Sequence, residues 1–183
     1  MLHIKIPENE LFNGIDGEFI KIKEQTIQLE HSLVSLSKWE SKWHKPFLGS
    51  NTKTDEETLD YIRCMTITQG VDPIVYTVLD SPTIQTIVDY INDPMTATWF
   101  TDTSGPSKKT SNGETITSEL IYYWMITLNI PVEFQKWHLN RLITLIKVCN
   151  VKNEPPKKMG KRDVMNRNKA LNEARRKAAN TRG

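Results

Sequence analysis

Hydrophobic and polar positions along the chain follow two different periods. Through residue 30 they alternate: "LHIKI" and "EFIKIKEQTIQLE" set Ile20 and Ile22 on one parity and Phe19, Lys21 and Lys23 on the other. A period of two predicts strands with one covered face, and the intervening "NGIDG" is turn chemistry, so a β-hairpin is expected. The parity changes near Gln25, after which Ile27 and Leu29 are the apolar positions. That change marks either a bulge or a third short strand.

From His31 onward the period lengthens to three or four. Leu33, Leu36, Trp39 and Trp43 share one helical face, Ser32 is placed to cap it, and Pro46 excludes its predecessor from helical geometry. In "NTKTDEETLDYIRCM", Thr54 and Glu57 have capping-box spacing and Leu59, Ile62 and Met65 mark a buried face. "DPIVYTVLDS" suits a strand or a buried helical turn; we read a short helix after Asp72. In "SPTIQTIVDYINDP", Ser81 serves as cap, Pro82 takes the first helical position, and Ile84, Ile87, Val88 and Ile91 form the stripe.

Residues 101–116, "TDTSGPSKKTSNGETI", combine turn formers with nothing to bury and predict an exposed loop, one ordered on a partner. Two helices are expected next, Ser118–Leu128 and Val132–Val151, hinged at Asn129-Ile130-Pro131. The first carries Leu120, Tyr123, Trp124 and Leu128. The second is apolar nearly all round, with Phe134, Trp137, Leu142, Leu145, Ile146 and Cys149 prominent, and such a helix belongs at the centre of a fold. Pro155-Pro156 forms a stiff spacer, and Asp163 is placed to cap an Ala-rich basic helix. That helix has too few apolar residues to hold itself, so the tail is expected to be disordered or helical on contact with a partner.

The pattern therefore predicts an α+β, mostly α-helical protein. It has an N-terminal β-hairpin or small sheet (1–30), a helical core domain (31–151, flexible loop 101–116) and a basic C-terminal tail (152–183).

Charge sharpens this division. The net charge of +2 hides 11 Lys or Arg against three acids in residues 152–183, or +8; the remainder has 13 basic against 19 acidic residues, or −6. An acidic body with a basic tail follows. No run approaches the ~18 continuous apolar residues of a bilayer span. "MLHIKIPENEL" lacks the layout of a secretory signal, so a cytosolic chain without membrane association is expected. Cys64 and Cys149 are too few for a disulfide framework or zinc cluster, and both are expected to be reduced and buried.

Little in the residues points to catalysis or a cofactor. His3, His31, His44 and His138 have no His, Cys or carboxylate partner at convincing metal-site spacing. His31 falls at a strand-to-helix junction, His44 at a helix end, and His138 on the polar side of a buried helix, where imidazoles bond to backbone. Cys149 and His138 stand eleven apart on one expected helix, about 16 Å along its axis, too far for a nucleophile and its base. Neither a Gly-x-Ser-x-Gly nor a Walker loop occurs, and the carboxylates of Asp55, Glu56 and Glu57 suit the first turn of a helix. No metal, cofactor or catalytic residue is expected.

The five tryptophans, Trp39, Trp43, Trp99, Trp124 and Trp137, are core by default, but aromatics with Arg are also what protein interfaces concentrate. The candidate partner-binding residues are Trp39, Trp43, Trp124, Trp137 and Arg141, with Arg175, Arg176 and Lys177 in the tail. For the tail itself three readings stay open: a solvated end, a handle for an acidic protein surface, or a salt-sensitive nucleic-acid contact.

"LEHSLVSLSKWESKWHKPFL", "KTDEETLDYIRCM", "IYYWMITLNIPVEFQKWHLNRLITLIKVCN" and "NRNKALNEARRKAANTRG" together resemble a family of small proteins of tailed bacteriophages and prophages, the tail assembly chaperones and neighbouring tail-morphogenesis proteins. The resemblance covers nearly the whole chain. It implies a non-enzymatic protein of the host bacterial cytoplasm that binds the tape measure protein, or other tail proteins, and keeps its long helices soluble until tube subunits polymerise around them. Homo-oligomerisation is compatible with that role. The alternative is a virion structural protein such as a head-tail connector or tail-completion protein. A DNA-binding regulator ranks last, because no helix-turn-helix reading helix is recognisable.

Overall fold

The computed structural model describes residues 1–13, 17–49, 52–100, 115–153 and 160–180. They form a mostly helical α+β chain. Strands β1 (Leu2–Ile6), β2 (Asn9–Asn13), β3 (Glu18–Ile22) and β4 (Gln25–Leu29) precede helices α1 (Leu33–Trp43), α2 (Asp55–Met65), α3 (Ser81–Asn92), α4 (Ser118–Thr127), α5 (Leu139–Asn153) and α6 (Lys161–Ala178). Short 3-10 segments lie at Pro73–Val78 and Val132–Lys136. The chain divides into two compact units, Met1–Asn150 and Val151–Gly183.

The N-terminal strands form one antiparallel ribbon interrupted once. β1 pairs with β4 (Ile4 opposite Ile27, Ile6 opposite Gln25) and β2 with β3 (Asn9 opposite Ile22, Phe12 opposite Phe19). Pro7-Glu8 and Lys23-Glu24 lie between the two ladders, two residues on each side, so the register carries through and no residue is inserted. Pro7 has no N–H to give a ladder, which accounts for the gap. The parity change near Gln25 is thus a change of covered face and not a bulge. Ile4, Ile6, Ile27 and Leu29 are buried on one side of the gap, and Ile22, with Leu11 packed beside it, on the other.

The sequence-read caps largely hold. Ser32 and Thr54 each accept from the third helical N–H and complete capping boxes with Ser35 and Glu57. Asp72 caps the short 3-10 helix. α3 begins one residue earlier than expected: Asp80 is its cap, since its carboxylate reaches the Thr83 N–H at 2.9 Å and Ser81 is already helical. Gly160, not Asp163, precedes α6; Asp163 stands in its first turn.

The largest departure is the expected helix Val132–Val151, which is two pieces. The Leu139 N–H donates to His31 O at 2.7 Å, and His138 forms a β-bridge with Ser32. Those tertiary bonds require extended backbone at Trp137 (ψ 161°), so the helix restarts at Leu139. On the other side of the same junction, Glu30 N–H donates to Met65 O at 2.9 Å and Ile67 N–H to Gln28 O at 2.8 Å. The passage from β4 to α1 is therefore clamped by the end of α2 and the start of α5. Around it lies the core: Leu33, Leu36 and Trp39 of α1, Tyr61, Ile62 and Met65 of α2, Ile87 of α3, Ile121 and Met125 of α4, and Leu139, Leu142 and Ile146 of α5.

On α4 the buried residues are Ser118, Ile121 and Met125, whereas Tyr123, one of the large apolar residues named for this helix, is exposed. Cys64 and Cys149 are free thiols, half-buried instead of fully buried. All described positions of α6 are exposed. Residues 101–114 of the expected loop and the Pro155-Pro156 spacer lie outside the described residues.

Candidate partner-binding site

The candidate residues divide by their surroundings. Trp39 is only 1 % exposed, and its indole N–H donates to Glu57 O at 2.9 Å. It belongs to the α1–α2 interface and has no face for a partner. Trp43 stacks on it at 6.1 Å between centroids and is half-buried; its N–H donates to the Asp60 carboxylate at 2.9 Å. Lys42 holds the other Asp60 oxygen and Lys45 binds Glu57 at 2.6 Å. Burial pushes Asp60 upward, but the hydrogen bonds from Lys42 and Trp43 outweigh it and keep the carboxyl below its usual range. Both tryptophans fasten two helices together.

Trp137 and Arg141 form a different arrangement. The Trp137 ring stacks on Phe134 at 4.0 Å and 15°, and the Arg141 guanidinium lies 4.2 Å from the Trp137 centroid. Phe134 comes from the 3-10 segment and Arg141 from the first turn of α5, so the break between them brings the three together. Arg141 is exposed and the two rings are half-buried. This is a preformed aromatic and cationic surface, the composition that contributes most at protein interfaces.

α4 lies alongside, joined by the hydrogen bond from Tyr122 OH to Gln135 at 2.8 Å. Trp124 packs partly against the core. Sequence reasoning missed the outward residues Tyr123 and Ile126, which share a helical face at i, i+3 and are largely exposed, as is Val132. Because α4 is apolar on nearly every side, its composition could not say which face would be left out. Trp99, expected in the core, is 89 % exposed. Arg175, Arg176 and Lys177 occupy the last turn of α6, in the second unit, where cations favour the helix dipole.

The histidines form a pair that the sequence did not announce. His31 and His138, 107 positions apart, meet edge to face at 5.1 Å. His31 Nδ1 is 2.5 Å from the Tyr61 hydroxyl, and His138 Nε2 donates to Tyr90 O at 3.0 Å. That bond fixes the His138 proton on Nε2 and leaves Nδ1 buried without a partner. Burial, reinforced by His138, brings His31 down to about 3, and burial lowers His138 as well. Burial raises the Tyr61 phenol above its ordinary range. All three groups are neutral near pH 7, joining the end of β4 to α2, α3 and α5. Among the described residues no three His, Cys, Asp or Glu side chains gather as a metal site, and no helix is long and apolar enough to cross a membrane. No family model matches the chain, and neither a curated protein nor a solved structure matches it.

Proposed function

We propose that this chain is a tail assembly chaperone of a tailed bacteriophage, a non-enzymatic protein of the host cytoplasm that binds helices of the tape measure protein during tail morphogenesis. The observation that carries the reading is the Phe134, Trp137 and Arg141 surface beside an α4 face exposing Tyr123 and Ile126. Such a surface suits the apolar stripe of an amphipathic helix, with Arg141 available to a flanking carboxylate. The resemblance of four separate segments to tail-morphogenesis proteins supports the same role.

Co-expression with the tape measure protein of the same phage tests it. The tape measure protein is expected to move from the insoluble to the soluble fraction and to co-purify with this chain. Its remaining insoluble would overturn the reading.

α6 favours a second reading, that of a head-tail connector or tail-completion protein. An 18-residue helix with every described position exposed gains stability when a neighbouring subunit covers it. Mass spectrometry of purified particles separates the two: a chaperone is present in lysate and absent from virions, whereas a connector persists at ring-like copy number.

A further inference from the structure

A cleft of about 390 Å³ opens between the segment after α1, the middle of α2 and the inward face of α3. Ile62 of α2 and Ile87, Val88 and Ile91 of α3 give it aliphatic walls, continued by Phe47 and Leu48. The volume falls within the roughly 300–1,000 Å³ of small-molecule sites.

One lining side chain is charged near neutral pH. Lys53 lies with Nζ 4.2 Å from the Phe47 ring centroid, while His31, also in the lining, is kept neutral by burial. The nearby Glu57 carboxylate is already engaged by Lys45 at 2.6 Å and by the Thr54 N–H at 3.0 Å. Among the described residues no carboxylate comes within 4.0 Å of Lys53. Burial lowers the Lys53 amine from its ordinary range, outweighing the opposing pull of Glu57. A half-desolvated ammonium whose close partner is an aromatic face is best completed by an anion. The apolar walls require that anion to bring an apolar body. A single lysine supplies one positive charge, which a monoanionic carboxylate neutralises, whereas a phosphate dianion would leave an uncompensated charge against the apolar walls.

We propose that this cleft binds an aliphatic group bearing one carboxylate, with the carboxylate at Lys53 and the aliphatic body against Ile62, Ile87, Val88 and Ile91. Two sources share this chemistry: a free amphiphilic acid, or the C-terminal residue of a partner chain ending in an aliphatic side chain. The inference stands apart from the tail-assembly reading, since octanoate binding and tape measure solubilisation are separate measurements and either can fail alone.

The test is titration of the full-length chain with octanoate, octanol and octylamine at pH 7.5, followed by calorimetry and by methyl NMR of the cleft isoleucines and Val88. Octanoate is expected to bind saturably at one site, at least tenfold more tightly than octanol or octylamine. Lys53→Met is expected to erase the preference of octanoate over octanol, and Val88→Trp, which fills the cleft, to abolish binding with the circular dichroism spectrum unchanged. The Lys53 amine should titrate at higher pH when octanoate is bound. Absence of saturable octanoate binding, equal affinity for octanoate and octanol, or binding undiminished in Val88→Trp would each overturn the proposal. The tripeptide acetyl-Ala-Ala-Leu, as free acid and as amide, distinguishes the sources. Acid binding above octanoate, with none by the amide, assigns a chain terminus; weaker acid binding assigns a free amphiphile.

Discussion

Glu40 and Ser118, 78 positions apart, are joined by a hydrogen bond of 2.7 Å from the Ser118 backbone N–H to the Glu40 carboxylate. The other carboxylate oxygen accepts the Phe47 N–H at 2.8 Å. A buried carboxylate on α1 thereby satisfies the first turn of α4, where the helix dipole favours negative charge, and also pins the chain leaving α1.

Removing Glu40 should therefore be among the more damaging single changes. Glu40→Ala leaves two buried N–H donors without an acceptor and is expected to cost about 3 kcal/mol of stability. Glu40→Gln keeps one acceptor and should cost about half as much. Urea unfolding checks both, with a shifted midpoint and unchanged slope as the expected result. A midpoint for Glu40→Ala equal to that of the parent would show that the clasp contributes nothing.

Stability should fall on mild acidification because of the histidine pair. His31 stays neutral in the folded state down to about pH 3, whereas in the unfolded chain an imidazole takes up a proton below about pH 6.5. The unfolded state therefore binds more protons in that window, and its contribution to stability, intact above about pH 6.5, is lost as pH falls toward 3. The slope is at most about 1.4 kcal/mol per pH unit for one such group, and lowered His138 adds in the same direction. Denaturation midpoints measured between pH 7.5 and 5 should decline in the parent and decline less in His31→Gln.

The surface at Trp137 should matter for binding and little for folding. Arg141 is exposed, so Arg141→Glu is expected to change stability by no more than about 0.5 kcal/mol. On the proposed role, it should weaken capture of the tape measure protein at least tenfold, with Ile126→Asp acting in the same direction from α4. Equal capture by both variants would move the binding surface elsewhere.

Helix α6 should melt independently of the core. Leu171→Pro places proline in its interior at a cost of about 3 kcal/mol to that helix. Because α6 has no buried residue, helical circular dichroism should drop while the urea midpoint of the core stays put. A joint loss of both signals would contradict the division into two units.

Much of the architecture was legible because it is local. The N-cap at Ser32 and the capping box at Thr54 need only a few adjacent residues, and the alternation of Ile4 and Ile6 or Ile27 and Leu29 is a property of extended backbone. The change of covered face was visible as a slip of parity near Gln25, although its meaning depended on the pairing that sets Pro7-Glu8 opposite Lys23-Glu24. The candidate surface was only partly legible: Trp137 and Arg141 were named from residue type, while Tyr123 and Ile126 were hidden in a helix with apolar residues on every side.

By itself, the sequence determined the kinds of element, most of their caps, and the contrast between an acidic body and a basic tail, since these follow from neighbours within about one helical turn. The tertiary structure decided the rest. It broke a continuous helical pattern at Trp137-His138 because backbone bonds to His31 and Ser32 are made only when β4 and α5 meet. It buried Trp39 and exposed Trp99, paired two histidines 107 positions apart, and placed Lys53 beside an aliphatic cleft. Each outcome depends on which surfaces come together, and side-chain type cannot specify that before the chain has folded.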